Sequence, residues 1–266
     1  MPNSLIMREA GALVWTRAGG GHPVVCVPAF ADSAVSWQPL LRVLADQRHH
    51  VAVVDLPGFG AASASASPAT IPRYADLIAR YVAHEFSEPA TLVGHSLGSV
   101  IAVLAAHRLG VRCRAVVSLE GNLTADDAYF SGQAADYADP AGFKRAFAAQ
   151  VRELVAADRA PASYAESVEA ADAECMWALG RDALARGAKG GFGHQYRRLP
   201  VPTLYLWAST TTTPATQDYL TRYRIPRHRL LIEHHWPWRE APAIVAGTLV
   251  DFIHREPQRG PRQASS

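Results

Sequence analysis

One serine stands between two glycines in a setting that favours chemistry. Residues 94–98 read G-H-S-L-G, after a short apolar run and before an apolar-periodic segment that predicts a helix. On a sharp turn from strand to helix, the hydroxyl of Ser96 would stand above the sheet edge, and the flanking glycines would leave room for the bend. The helix would aim its N-terminal N–H groups at the same point. The pattern favours a nucleophilic serine; the alternative is a serine that only caps the helix.

The elements that must position this serine alternate along the chain. Continuous apolar runs are typical of strands buried on both faces, and a looser alternation predicts an edge strand over residues 11–16. The predicted strands cover residues 24–27, 51–54, 115–119, 203–207 and 230–232, of which the first two are expected to be buried, and the serine motif's own strand and helix occupy 90–109. Predicted helices cover residues 37–46, 71–86, 216–223 and 241–254. This order predicts an α/β fold: a mainly parallel sheet with helices on both faces.

A long interruption separates the strands of residues 115–119 and 203–207. Residues 122–195 are rich in alanine and contain no strand-like run, and helices are expected over 140–156 and 164–185. Because a structureless connection of that length is improbable, we expect an inserted helical cap at 122–195. The core would then comprise residues 1–121 and 196–266, with a disordered polar tail at 257–266.

Composition narrows the class of protein. The chain has 266 residues, is 49% hydrophobic and carries a net charge of +2, which fits one large domain and gives no support for a nucleic-acid partner. No apolar run reaches the length of a signal-peptide core or a membrane span, so a soluble, cytoplasmic protein without a membrane association is expected. Cys26, Cys113 and Cys175 lie far apart and are interpreted as buried thiols. Nothing in the sequence sets the oligomeric state.

Four motifs together resemble one superfamily. Residues 55–60 read D-L-P-G-F-G, residues 94–98 read G-H-S-L-G, and residues 201–207 read V-P-T-L-Y-L-W. His235 is followed five residues on by Glu240 and seven on by Pro242. In this order, the motifs are similar to those of the capped α/β-hydrolases. The resemblance implies a serine nucleophile, then an acid, then a histidine late in the chain.

The resemblance implies that His235 is the general base. The family usually has glycine before this histidine, whereas this chain has His234, which remains the alternative base. The interpretation without a catalytic role is a surface loop with two solvated histidines. His95, next to the serine, is interpreted as a packing residue.

The orienting acid departs from the family's usual pattern. The usual aspartate position, after the strand of residues 201–207, is Thr211 in this chain. Some members place the acid one strand earlier, and there Glu120 directly ends an apolar strand, where parallel-sheet proteins gather functional groups. Glu120 is therefore the expected acid. Asp218, or the absence of a functional acid, stays open.

The oxyanion loop also departs from the family's pattern. Where the family typically has His-Gly-x, this chain has Pro28, Ala29 and Phe30. The resemblance implies that the backbone N–H groups of Phe30 and Leu97 form the oxyanion hole. Backbone donors survive side-chain changes, although Pro28 has no N–H and fixes its own φ.

The substrate should meet an aromatic pocket formed by the cap and the histidine loop. The candidate pocket residues are Tyr129, Phe130, Trp177 and Trp236. They predict a mostly apolar pocket and hence a hydrophobic ester, lactone or thioester, cleaved through an acyl-enzyme without metal or organic cofactor. A lyase or C–C bond hydrolase on the same fold, and a non-catalytic small-molecule-binding protein, are the alternatives.

Overall fold

An eight-stranded sheet forms the centre of the protein in a computed structural model, which describes residues 4–9, 12–17, 21–46, 49–62, 68–189 and 191–255. The strands are β1 (Ser4–Glu9), β2 (Ala12–Arg17), β3 (Pro23–Val27), β4 (His50–Asp55), β5 (Ala90–His95), β6 (Cys113–Leu119), β7 (Thr203–Trp207) and β8 (Arg227–Arg229). Their order is β1-β2-β4-β3-β5-β6-β7-β8. The six strands from β4 to β8 in this order run parallel, and β1 and β2 are antiparallel to their neighbours. The mainly parallel sheet is confirmed.

Helices cover both faces of this sheet, as predicted. They are α1 (Gln38–Asp46), α2 (Ile71–Glu85), α3 (Leu97–Leu109), α8 (Pro214–Arg222), α9 (Pro237–Glu240) and α10 (Pro242–Arg255). Helix α2 packs against α3, and α1 packs against α10. The central strands are buried completely because helices cover both of their faces, which explains their continuous apolar runs.

The chain between β6 and β7 is helical wherever it has regular structure in the described part. Two short 3₁₀ helices, Ala125–Ala128 and Ser131–Asp136, precede α4 (Pro140–Ala156), α5 (Ala162–Ala170), α6 (Ala173–Gly187) and α7 (Gly193–Arg197). Helix α4 has its predicted bounds. The single helix predicted over residues 164–185 is wrong: the chain turns extended at Ala171, and the Asp172 side chain caps α6 by accepting from the Cys175 N–H at 2.9 Å.

The sheet edges differ from the prediction. The strand predicted at residues 230–232 is wrong, because the pairing with β7 uses β8 instead. Leu230 donates its N–H to the Trp207 carbonyl, and the chain then leaves the sheet so that Leu231 is 90% exposed. All three residues of β8 are exposed. An edge strand of this kind needs no apolar run, so its position could not be read from hydrophobicity.

The cysteines, the length of the helices and the tail were also subjects of prediction. The three cysteines are buried and free, with Cys26 in β3, Cys113 in β6 and Cys175 in α6. Among the described helices, none is both long enough and apolar enough to cross a membrane. The tail expected at residues 257–266 lies outside the described residues.

Candidate active site

Ser96 occupies the turn between β5 and α3 in a backbone conformation that side chains rarely adopt, with φ 50° and ψ −125°. Its N–H donates to the Leu119 carbonyl at 3.0 Å, and its carbonyl accepts from the Ser99 N–H at 3.0 Å. These bonds hold the turn in its strained form, and the side chain is partly exposed.

The two glycines of the motif are required by close backbone contacts. A Cβ at Gly94 would lie 2.3 Å from the Ser99 Cα, and a Cβ at Gly98 would lie 2.2 Å from the Pro28 carbonyl oxygen. Both neighbours are backbone atoms that cannot move aside alone. The contact at Gly98 also brings the loop after β3 directly against the start of α3.

That loop presents a free N–H group near the serine. The Phe30 N–H donates to no backbone carbonyl in the described turns and loops, and the Leu97 N–H is at the first position of α3, where N–H groups lack an intrahelical partner. Both residues line one cavity with Ser96. The Asp32 N–H donates to the Ala29 carbonyl at 3.2 Å, and Ala31 has φ 56°. The loop is therefore a closed turn in spite of Pro28.

His235 lies on a loop that side chains hold from both ends. The Glu240 carboxylate accepts from the N–H groups of Glu233 at 3.1 Å and His234 at 2.8 Å, which explains the spacing between histidine and glutamate. The His235 carbonyl accepts from the His95 Nε2 at 2.7 Å. The alternative base, His234, does not line the cavity around Ser96.

His95 packs in the core and also donates a hydrogen bond to the loop that carries His235. It is fully buried, and burial first, then the proximity of His235, holds its pKa well below the ordinary value. The ring is therefore neutral, with its one N–H placed on Nε2 to serve the His235 carbonyl. The sequence signal for this role was the adjacency of His95 to Ser96, which we interpreted only as packing.

Glu120 directly follows β6 with φ 49° and has its carboxylate fully buried. Its Oε2 lies 3.6 Å from the His235 Nδ1. This distance suits an ion pair but exceeds a hydrogen bond, and catalytic hydrogen bonds are often long before substrate binds. The alternative acid, Asp218, is exposed on α8 and does not line the cavity.

Two threonines bind the Glu120 carboxylate, and one of them, Thr211, stands where the family resemblance implies an aspartate. The hydroxyls of Thr211 and Thr212 donate to its Oε2 at 2.7 and 3.0 Å, and the Ala208 N–H donates to its Oε1 at 2.5 Å. Three neutral donors thus compensate for the burial of the charge. The run of four threonines was a signal for such a site that sequence reasoning did not use.

These groups open into one cavity of about 370 Å³. It is lined by Ser96, Leu97, Phe30, Glu120 and His235. Of the predicted pocket residues, Tyr129, Phe130 and Trp236 also line it.

Trp177 does not belong to this cavity, so that prediction is corrected. Its indole N–H donates to the Tyr137 carbonyl at 3.1 Å, and the Arg181 guanidinium lies 4.6 Å from its ring centroid. These contacts hold Trp177 within the helical segment of residues 122–195, away from the cavity.

A model of the alpha/beta hydrolase family matches residues 24–248. The chain belongs to the alpha/beta hydrolase family. Among solved structures, an N-acyl homoserine lactonase in complex with N-hexanoyl homoserine is similar to it at a TM-score of 0.77 and 17% identity, over 98% of this chain and 99% of the other. A putative aryl esterase from Burkholderia cenocepacia has a TM-score of 0.72 and 18% identity, over 97% and 100%. At these identities the likeness shows the fold.

Curated relatives match a shorter part of this alpha/beta hydrolase. One is the dihydrolipoyllysine-residue acetyltransferase component of an acetoin cleaving system of Cupriavidus necator, 33% identical over 32% of this chain and 23% of its own length. Another is an (E)-2-((N-methylformamido)methylene)succinate hydrolase of Acinetobacter baylyi, 30% identical over 31% of each chain. The matches thus span less than a third of either relative.

Polar side chains line the cavity of this alpha/beta hydrolase to a degree that the sequence did not predict. Besides the residues already placed, the lining includes Asn122, Asp127, Ser131, Gln150, Arg159 and Tyr164. The Asp127 carboxylate accepts from the hydroxyls of Thr213 and Thr216 and from two backbone N–H groups. The expectation of a mostly apolar pocket is corrected: the lining is amphipathic.

Proposed function

We propose that the protein is a serine hydrolase that cleaves an ester, lactone or thioester through an acyl-enzyme. One observation carries the proposal: Ser96, on its strained turn, opens into the same cavity as the paired side chains of His235 and Glu120. Strain of this kind persists where the surrounding structure holds a residue for a function.

In this proposal, His235 takes the proton from the Ser96 hydroxyl as its oxygen attacks the substrate carbonyl. Glu120 faces Nδ1, which keeps a proton there and leaves Nε2 as the base. The N–H groups of Phe30 and Leu97 bind the oxyanion. The protonated histidine then gives its proton to the leaving alcohol or thiol. Water attacks the acyl-enzyme with the same base, which releases the acid and restores the serine.

The substrate proposed is a small molecule with an apolar part. The aromatic side chains of Phe130, Tyr164 and Trp236 offer apolar surface, and a cavity of about 370 Å³ suits a compact ligand. Lactone and aryl-ester chemistry on similar folds agrees with this choice. Residues 122–195, which carry the first two of these side chains, would act as a cap that selects the substrate.

Intact-mass measurement after incubation with a fluorophosphonate tests the proposal. We expect one adduct on the wild-type protein, none on Ser96→Ala, and one on the control Ser209→Ala, which alters an exposed serine outside the cavity. A smaller sulfonyl fluoride runs alongside in case the first probe is too bulky. Folded wild-type protein that reacts with neither probe contradicts the proposal.

A further inference from the structure

Two indole side chains connect the histidine loop to the segment after β3. The Trp236 Nε1 donates to the Asp32 Oδ2 at 3.1 Å, and the Trp238 Nε1 donates to the Ser36 carbonyl at 2.7 Å. We infer that Asp32 is a positioning residue that aligns the oxyanion donor of Phe30 with the loop that carries His235. This inference rests on the proposed function.

The backbone of Asp32 fixes the direction of the Phe30 N–H. Its own N–H donates to the Ala29 carbonyl at 3.2 Å. That carbonyl and the Phe30 N–H belong to one planar peptide unit and point in opposite directions. Holding the carbonyl therefore sets where the N–H points.

The side chain of Asp32 fixes the other loop. It is 2% exposed, and its Oδ2 accepts from the Ser36 hydroxyl at 2.9 Å as well as from the indole of Trp236. Its Oδ1 accepts from the Ser33 N–H at 2.8 Å. Because Trp236 follows His235 directly, a displacement of its indole moves the backbone of the proposed base.

A third contact closes the connection through α5. The Tyr164 hydroxyl donates to the Phe30 carbonyl at 3.0 Å, and its ring centroid lies 4.6 Å from that of Trp236. Phe30, Tyr164, Trp236 and Asp32 thus form a closed chain of contacts between the two loops. A displacement at one member is transmitted to both loops.

Burial of Asp32 is unfavourable for its charge. Its side-chain partners in the described ranges are all neutral donors, and burial raises its pKa to about 6, with the nearby carboxylate of Asp55 adding to the rise. The hydrogen bonds from Ser33, Trp236 and Ser36 act in the opposite direction, lower this pKa and offset part of the cost of burial. Its contact with both loops gives a reason for a carboxylate at this position.

Inactivation kinetics with the fluorophosphonate test the inference, since they separate probe binding from the covalent step. In Asp32→Ala we expect the limiting inactivation rate to fall about 10- to 100-fold, as for a small misplacement of reacting groups, with little change in the half-saturating probe concentration. Trp236→Phe removes the same hydrogen bond, and its limiting inactivation rate should fall by a similar factor. The double variant should be no slower than the slower single variant, because both changes break one contact. Asp32→Asn keeps an acceptor oxygen and should recover most of the rate.

Asp182→Ala is the matched control. Asp182, in α6, is half-buried and accepts from the Ile71 N–H at 2.8 Å, and it belongs to none of the contacts between the two loops. Its effect should multiply with that of Trp236→Phe. If Asp32→Ala does not fold, Trp236→Phe alone tests the contact, and labelling of this variant at the wild-type rate overturns the role of Asp32.

The outcomes separate the two proposals. Labelling of Asp32→Ala at the wild-type rate, or an effect that multiplies with Trp236→Phe, overturns the role of Asp32 while Ser96 remains a nucleophile. A folded wild-type protein that does not label overturns the proposed function and this inference with it.

Discussion

At the scale of single residues, the proposed acid, Glu120, is the residue whose position differs most from the pattern that the family resemblance implies. Glu120 has Thr211 and Thr212 as hydroxyl donors and faces His235 across 3.6 Å. The carboxylate comes from the end of β6, whereas the usual position lies after β7. Parallel strands end at the same edge, so both positions can reach one imidazole.

Glu120→Gln should lower turnover by about 10³- to 10⁴-fold with the fold retained, because an amide facing Nδ1 favours the wrong tautomer of His235. Steady-state hydrolysis of an activated ester measures the loss. Asp218→Asn is the control: it removes an exposed carboxylate outside the cavity and should leave turnover unchanged. The reverse ranking of the two variants would refute the assignment.

At the scale of elements, the turn between β5 and α3 depends on backbone contacts at its glycines. A Cβ at Gly98 would lie 2.2 Å from the Pro28 oxygen. Since Pro28 and Phe30 share one loop, widening this contact would also move the proposed oxyanion donor. The turn and the loop therefore form one structural unit.

Gly98→Ala should lower the free energy of unfolding by about 3 kcal/mol, as expected of severe overpacking, and should abolish labelling of Ser96. Urea unfolding measures the first effect. Gly247→Ala in α10 is the matched change, because its Cβ would meet nothing within 4 Å. It should stabilise the protein by up to about 1 kcal/mol through helix propensity. Equal stabilities of the two variants would contradict the packing argument.

Hydrophobic periodicity predicts most of the strands and helices that carry the candidate catalytic residues, but it does not predict which side chains line the cavity. Buried strands and the spacing between His235 and Glu240 are local patterns, so they could be read directly. Trp177 is held by a hydrogen bond to the Tyr137 carbonyl, 40 residues earlier in the chain, which local periodicity does not encode. Asp127 forms a local capping box with Thr124, which the spacing Thr-x-x-Asp encodes, but its bond to Thr216 of α8 is a tertiary contact that no local pattern encodes.

At the scale of the whole molecule, partly buried histidines couple stability to pH. Burial first, and then the positive charge of Arg114, lowers the pKa of His22 from 6.5 to about 4, and burial also lowers the pKa of His49. The folded protein therefore prefers the neutral rings. This contribution to stability is fully present above the unfolded value of 6.5 and is lost as the pH falls towards 4.

Replacing His22 should make the free energy of unfolding depend less on pH in the acidic range. Between pH 6.5 and 4, His22→Gln should lose about 1–2 kcal/mol less than the wild type, a figure reduced because the ring is partly exposed. Urea unfolding across this range measures it. His84→Gln alters a histidine that is 76% exposed and should follow the wild-type curve. Coincident curves for all three proteins would contradict the prediction.

The threonine-lined Glu120 has a consequence for any second carboxylate at this edge of the sheet. Glu120 follows β6 and Thr211 follows β7, and the Thr211 hydroxyl lies 2.7 Å from the same Glu120 oxygen that faces His235. A carboxylate in place of this hydroxyl would lie against that of Glu120, and the two would share one proton, since like charges at close range do not both ionise. Thr211→Asp would therefore add a proton to the group that faces His235 and no second negative charge.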